Sequence, residues 1–200
     1  MEKKILELFL YNHRLKFNEI EKLTKNRSNK VSYHLKKLID KKILNKINDY
    51  YELSEDKEEI IPYLTNKKAV LPVILIALKN KKHLFLCKRM KRPFKDKLGL
   101  PGGRILVGES ISEATERIMN EKYDVKSKFR KINSINLEHV RKGNKILHSF
   151  LLIFVTANSK DNFESLDIEK NREKIISSDY KLIKNSLDKE MKIHSILSRA

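Results

Sequence analysis

The strongest constraint on the fold is a spaced set of residues in the stretch GGRILVGESISEATERIMNEKYDV, residues 102–125. Two glycines open the stretch, five residues separate Gly103 from Glu109, and seven more separate Glu109 from Arg117. The segment SISEATERIMNE has the periodicity of an amphipathic helix. A glycine-rich turn that runs into a helix is typical of a pyrophosphate-binding element, because glycines let backbone N–H groups approach the oxygens closely.

Strands are predicted on both sides of this segment. The longest apolar run, VLPVILIAL, has nine residues. A bilayer requires about 20, so this run is interpreted as a buried strand and no membrane contact is expected. Further strands are predicted at 83–89, 134–140 and 148–157, and a second helix at 179–197. The single cysteine, Cys87, excludes a disulfide framework and fits a reducing cytoplasm.

Residues 1–65 have a different pattern, that of three short helices followed by a β-hairpin. Ser28 is predicted as the N-cap of the third helix. The pair Asn48-Asp49 tolerates the positive φ of a tight hairpin turn. Two prolines bound residues 62–72, which predicts a short linker between domains 1–65 and 69–200. The apolar positions at helical spacing are Ile5, Leu6, Phe9 and Leu10; Phe17, Ile20 and Leu23; and Val31, Leu35, Leu38 and Ile39.

The third helix and the hairpin indicate a nucleic-acid contact. The stretch SNKVSYHLKKLIDKKIL closely resembles the recognition helix of winged helix-turn-helix regulators of bacteria and archaea. Such a helix presents donors to base edges and cations to phosphates. The alternative is a solvated helix face on a protein-interaction module. The predicted DNA-binding residues are Asn29, Lys30, Ser32, Tyr33, Lys36, Lys37 and, on the hairpin, Lys46.

The formal net charge of +18 is compatible with that partner. An excess of Lys and Arg is typical of proteins that bind a polyanion. A compositional explanation stays open, because Lys, Ile and Asn are abundant throughout the chain and Lys-rich surfaces also suit hot environments. Placement is more informative: residues 1–48 hold 13 Lys and Arg against 5 Asp and Glu.

The spaced motif resembles the box of the Nudix family, in which Gly, Glu and Arg are followed by a run of acids and a closing Gly. Gly103, Glu109, Arg117 and Glu121 match the box, and the lead-in RPFKDKLGLPGG (92–103) matches as well. This resemblance covers residues 69–200. It implies an α/β/α sandwich with a mixed sheet, and the whole chain is then a two-domain α+β protein. It also implies that Glu109 braces the loop against Arg117.

Three departures from the box bear on activity. Ile118 and Lys122 replace acids, and Asp124 replaces the closing glycine. In the family, three carboxylates on one helix face bind Mg²⁺ ions that polarise a diphosphate. Residues 118, 121 and 122 are predicted to share that face, which leaves Glu121 as its one acid and as a weak metal ligand. An inactive box is therefore favoured, and Mg²⁺ enters only if the protein is a hydrolase.

The same departures suggest a binding function. The ammonium of Lys122 can hold a phosphate as a point charge where a metal would have been. The predicted phosphate-binding residues are Gly102, Gly103, Arg104 and Lys122.

Together these patterns predict a cytoplasmic, homodimeric DNA-binding transcriptional regulator that senses a nucleotide-type diphosphate. Two alternatives stay open. One is a metal-dependent hydrolase of a nucleoside diphosphate derivative with a displaced set of acids, and the other is a non-catalytic scaffold.

Overall fold

The computed structural model divides the chain into two compact units, Met1–Lys68 and Ala69–Ala200. The structure describes residues 1–63, 69–80, 83–161, 163–194 and 196. Residues 64–68, in the middle of the predicted linker 62–72, lie outside the described residues.

The first unit contains three helices and a three-stranded antiparallel sheet with the strand order β1-β3-β2. Its core is formed by apolar side chains from all three helices, with Ile5, Ile20, Val31 and Leu38 fully buried. The two-residue turn between the last two strands places Asn48 at φ 53°, as predicted. The elements are α1 (Glu2–Leu8), β1 (Arg14–Lys16), α2 (Phe17–Thr24), α3 (Ser28–Asp40), β2 (Leu44–Ile47), β3 (Tyr50–Leu53) and a 3₁₀ segment (Glu55–Tyr63).

Three details of this unit differ from the sequence prediction. Leu23 is 49% exposed, and Thr24 is buried in its place. Ser28 is the first residue of α3 and not its N-cap, because its hydroxyl donates a hydrogen bond to the Glu21 carboxylate and Arg27 occupies the cap position. Strand β1 was not predicted, since three residues are too short to show an alternating pattern.

The second unit is built on a five-stranded sheet with the order β5-β4-β10-β9, and β8 pairs with β4. Strands β4 and β10 are parallel and the other pairs are antiparallel, so the sheet is mixed. Strands β6 and β7 form a separate pair. The elements are β4 (Leu71–Asn80), β5 (His83–Leu84), β6 (Cys87–Lys88), β7 (Leu98–Gly99), β8 (Gly102–Arg104), α4 (Ile111–Tyr123), β9 (Ser127–Lys142), β10 (Lys145–Ser159), a 3₁₀ turn (Arg172–Lys174) and α5 (Ser177–Ser186).

Alternation along β4 separates two cores. Ile74 and Ile76 belong to the cluster that includes the apolar face of α4. Leu75 and Ala77 point the other way and belong to the cluster that includes α5. Successive side chains of a strand face opposite sides of the sheet, so the sheet has a helix on each face. The predicted mixed α+β architecture is confirmed for this unit.

Three predicted elements of this unit were wrong in extent, one of which is the strand expected at 134–140, because β9 spans Ser127–Lys142. The strand expected at 83–89 is divided into β5 and β6, which pair with different partners. The helix expected at 179–197 ends at Ser186, and the backbone of Met191 then donates to the carbonyl of Ile132 in β9. Of the expected helix, residues 195 and 197 lie outside the described residues.

Asn133 provides the physical reason for the early end of α5. Its side chain is buried, and its amide donates to the carbonyls of Leu187 at 2.5 Å and Lys189 at 3.2 Å. Its own oxygen accepts a hydrogen bond from the hydroxyl of Thr156 at 2.8 Å. These bonds satisfy carbonyls that the helix end would leave unpaired and draw the chain onto the sheet.

We predict that Asn133→Ala lowers the free energy of unfolding of the second unit by about 2 kcal/mol, because two carbonyls and a partly buried hydroxyl lose their buried partner. Asn136→Ala is the matched control, since among the residues that the structure describes the side-chain amide of Asn136 donates only to the nearby hydroxyl of Ser134. Urea unfolding followed by circular dichroism measures both variants. Equal destabilisation by the two substitutions would contradict the role assigned to Asn133.

Candidate functional site

The loop between β8 and α4 is held by a partly buried ion pair between Arg117 and Glu109. The guanidinium of Arg117 donates to both carboxylate oxygens of Glu109, and also to the carbonyl of Arg104 at 3.0 Å. The same carboxylate accepts the backbone N–H of Leu106 at 2.8 Å. The hydrogen bond from Arg117 holds the pKa of Glu109 below its usual range. These bonds fix the loop to the helix, and they occupy both side chains.

Gly102 and Gly103 lie in strand β8, and not in the open loop that the sequence predicted. They pair with β4, and a Cβ at Gly102 would lie 2.6 Å from the backbone oxygen of Ile74. A Cβ at Gly103 would lie 2.8 Å from the ammonium of Lys122 and 2.9 Å from the side chain of Ile118. Close packing of β8 between β4 and α4 therefore accounts for both glycines.

The helix face predicted to carry residues 118, 121 and 122 is divided in the structure. Ile118 is fully buried in the core beneath β8, whereas the side chain of Glu121 is 57% exposed and lies 3.4 Å from the guanidinium of Arg117. An apolar side chain thus fills the space next to Gly103. Within the described part of the chain, no group of three or more His, Cys, Asp or Glu side chains is placed to hold a metal ion.

Lys122 is the charged group at the centre of the candidate site. Its ammonium donates to the carbonyl of Gly102 at 3.0 Å. Burial lowers the pKa of Lys122, and the positive charges of Arg117, Lys91 and Arg89 lower it further. An ammonium has three N–H donors, and one is used here within the described residues. The remaining donors, next to further cations, suit a bound anion.

Arg104 is less closely engaged than predicted. Its side chain is exposed at the end of β8, and its backbone carbonyl accepts the hydrogen bond from Arg117. Of the four predicted phosphate-binding residues, the structure brings Gly102, Gly103 and Lys122 into contact and leaves the guanidinium of Arg104 at the surface.

An open cleft of about 100 Å³ lies on the face of the sheet that carries α5. Its walls combine apolar and aromatic side chains with a few polar groups, as small-molecule sites generally do. Arg89 lines this cleft and is also one of the cations that lower the pKa of Lys122. The lining residues are Val73, Leu75, Arg89, Pro93, Phe94, Glu138, Phe150, Leu152, Ile176, Ser178 and Asp179.

Asp179 is the buried carboxyl group of this cleft. It is 5% exposed, and it accepts the backbone N–H of Leu100 at 2.8 Å. Burial raises the pKa of Asp179 to about 6, the negative charge of Glu138 raises it too, and Arg89 opposes both. A Cβ at Gly99 would lie 2.9 Å from its carboxylate, so a side chain at position 99 would force this carboxylate to shift. Asp179 thus joins α5 to the segment between β7 and β8.

Sequence reasoning missed Asp179 and Arg89. Acidic residues are common in the first turn of a helix, where they complement the helix dipole. The sequence therefore does not indicate that Asp179 is buried. Arg89 lies in a segment where the sequence has many exposed cations, and only the fold distinguishes it from them.

The predicted DNA-binding residues of α3 lie at the surface of the first unit. Asn29, Lys30, Ser32, Lys36 and Lys37 are exposed, Tyr33 is 64% exposed, and Lys46 is exposed on β2. The ammonium of Lys46 lies 5.7 Å from the ring centre of Tyr51.

Lys37 is not free, because an acidic side chain from α1 lies next to it. Its ammonium lies 3.3 Å from the carboxylate of Glu2, which also contacts Lys41 at 2.9 Å. The hydrogen bond from Lys41 is the main cause that lowers the pKa of Glu2 to about 2. Glu2 precedes α3 by more than twenty residues, so the local sequence of α3 could not show this contact.

The family model described as the NUDIX domain matches residues 69–177, which is more than half of the chain, and the chain therefore belongs to the Nudix family. No curated protein matches it at a significant level. No helix in the described part of the chain is long and apolar enough to span a membrane.

Several solved structures are distantly similar. The NUDIX domain of Shewanella oneidensis NrtR, complexed with ADP ribose, is 17% identical, with a TM-score of 0.48 over 66% of this chain and 96% of that chain. A NUDIX hydrolase from Nitrosomonas europaea is 15% identical, with a TM-score of 0.47 over 53% and 78%. The MutT protein from Methanosarcina mazei Go1 is 17% identical, with a TM-score of 0.42 over 52% and 74%. Ligand and activity do not transfer at such similarity.

The raised pKa of Asp179 predicts a pH dependence of stability. Between about pH 4 and pH 6 the carboxyl ionises in the unfolded chain while it stays protonated in the folded one. Stability is therefore lost as the pH rises through this window, by about 2 to 3 kcal/mol. The loss should be absent from Asp179→Asn and retained by the exposed control Asp188→Asn, as measured by urea unfolding at pH 4 and pH 7. Parallel pH profiles for all three proteins would refute it.

Proposed function

We propose that this chain is a DNA-binding regulator whose Nudix domain binds a nucleotide-type diphosphate without cleaving it. One observation carries the proposal: the ammonium of Lys122 lies on the carbonyl of Gly102, in a position where the box of the family has an acid. A fixed protein cation there can attract a diphosphate without the metal that hydrolysis requires.

The loss of metal-binding groups supports binding without hydrolysis. Mg²⁺ needs near-octahedral oxygen coordination and is commonly held through carboxylates. Glu121 is the box acid that remains on this face, and its carboxylate is shared with Arg117. The positive charge of Lys122 repels a second cation nearby. The chain therefore lacks the means to polarise a phosphoryl group through a metal at this box.

The surroundings of Lys122 suit the rest of a nucleotide. Arg89 and Lys91 add positive charge for the phosphates. The cleft next to them offers the aromatic side chains of Phe94 and Phe150 for a flat ring. Asp179 and Glu138 supply acceptors there for N–H groups of a ligand. A diphosphate at Lys122 with its ring system in the cleft is the arrangement we propose.

For the first domain, residues 1–65, we propose the winged helix-turn-helix assignment. Its support is the element order of three helices and a three-stranded sheet, with an exposed polar face on α3 and Lys46 on the hairpin. In such domains the second helix of the motif enters the major groove. Residues 69–200 form the sensing domain, and the regulator acts as a homodimer on paired half-sites. The ligand changes DNA affinity by its different affinity for two states of the protein.

The ligand proposal is tested with a panel of ADP-ribose, dinucleoside polyphosphates and nucleoside triphosphates. We expect binding by calorimetry and no cleavage in Mg²⁺ or Mn²⁺ when products are resolved by anion exchange. Lys122→Gln should weaken binding at least tenfold, about the value of a lost charge-assisted hydrogen bond. Lys126→Gln, which removes an equal charge from an exposed position, should leave binding unchanged. Metal-dependent cleavage of any compound would establish the hydrolase alternative instead.

The DNA proposal is tested with Lys30→Gln combined with Lys36→Gln. Loss of two phosphate contacts should weaken duplex DNA binding about tenfold and reduce the salt slope by about 2. The control combines Lys22→Gln with Lys42→Gln, two exposed cations of the same unit outside α3. Fluorescence anisotropy of a labelled duplex at several salt concentrations measures both. Equal losses in the two double variants would disprove a specific role for α3.

A further inference from the structure

The hairpin between β9 and β10 extends past the end of the sheet. Strand β4 pairs with β10 only from Phe150, which lies opposite Leu71. Residues 140–148 therefore pair only with each other within the described chain, and together with His139 they form a two-stranded arm, residues 139–148, that we call the basic ribbon. Residues 141–148 are all exposed. Apart from Val140, which is buried, the ribbon lies outside the two cores, so its composition requires another explanation.

The charge of the basic ribbon has one sign. It contains Arg141, Lys142, Lys145 and two histidines, and no Asp or Glu. Lys142 and Lys145 are direct cross-strand partners. Like charges in this position destabilise a strand pair. None of the three cations forms a salt bridge with the residues that the structure describes. A bound polyanion would relieve this repulsion.

The shape of the ribbon fits a groove of a nucleic acid. Gly143 has φ 58° and opens a two-residue turn, which keeps the tip narrow. A two-stranded ribbon is one of the two protein elements that the major groove of a duplex admits. Ile146, 46% exposed, and Leu147, 37% exposed, lie beside the cations, where they can contact thymine methyl groups or the stacked bases.

We propose that the basic ribbon, residues 139–148, is a second nucleic-acid contact. In this contact the ribbon lies in a groove of the duplex and its cations lie on the flanking phosphates. The contact belongs to the Nudix domain and does not depend on residues 1–65. A second copy of the chain is disfavoured as the occupant, because it carries the same charges and a net charge of +18. Cations on both strands match the two phosphate backbones that border a groove.

The test compares two triple variants of the full chain. The ribbon variant combines Arg141→Gln, Lys142→Gln and Lys145→Gln. The matched control combines Lys128→Gln, Arg130→Gln and Lys160→Gln, which removes the same charge from exposed positions outside the ribbon. With a labelled 25-base-pair duplex between about 50 and 200 mM salt, three lost phosphate contacts should reduce the salt slope by about 3 and weaken binding at least tenfold. The control should retain the slope of the unaltered protein. Equal effects of the two variants would overturn the proposal.

A second background separates this proposal from the role assigned to α3. Both triple variants are also made in the protein that carries Lys30→Gln and Lys36→Gln. If α3 does not bind DNA, the ribbon variant still loses binding in both backgrounds. If the ribbon does not bind DNA, the ribbon variant equals its control in both backgrounds, whatever α3 does.

Binding to vesicles that contain phosphatidylserine tests whether the ribbon instead contacts an anionic membrane surface. We expect the ribbon variant and its control to bind these vesicles equally. A loss of vesicle binding in the ribbon variant, with duplex binding unchanged, would assign the ribbon to membranes and overturn the proposal. Thermal unfolding of each variant checks that the exposed substitutions leave the fold intact.

Discussion

The contact between α4 and β8 determines what the candidate site can do. Strand β8 reaches the helix closely because Gly103 has no side chain that would keep the two elements apart. The space this opens is filled by the apolar side chain of Ile118 below and the ammonium of Lys122 above. A carboxylate in the buried position would lose its hydration without a paired cation. The same packing that stabilises the domain thus places an apolar side chain at a position where the box of the family has an acid.

Charge is distributed unevenly over the Nudix domain. Cations collect around Lys122, whereas the cleft on the α5 side contains Asp179 and Glu138. Arg89 is the group that both regions share. A ligand that combines anionic groups with a neutral ring carrying N–H donors matches this division. A simple anion would be attracted to the first region and repelled by the second.

The sequence predicted the elements whose signal is local. The box spacing identified the family, and apolar periodicity located α3, α4, β4 and β10. It failed where a distant residue decides the outcome. Asn133 ends α5 through bonds to carbonyls more than fifty residues away, and Glu2 reaches Lys37 across the first unit. The burial of Ile118 and of Asp179 likewise depends on partners that no local pattern specifies.

The contact of Glu2 with Lys37 and Lys41 has a consequence for any polyanion that approaches α3. The hydrogen bond from Lys41 lowers the pKa of the Glu2 carboxyl well below its usual range, so at neutral pH it is an internal counterion of these lysines. A phosphate that binds Lys37 must displace the carboxylate of Glu2, which stays attached to the protein. Binding at Lys37 therefore releases fewer mobile ions into the solvent than binding at Lys36. Since ion release is the entropic drive of such association, the tethered acid makes Lys37 a weaker source of affinity than its position on the helix suggests. A partner that brings more than one negative charge to Lys37 competes with Glu2 better than a single phosphate does.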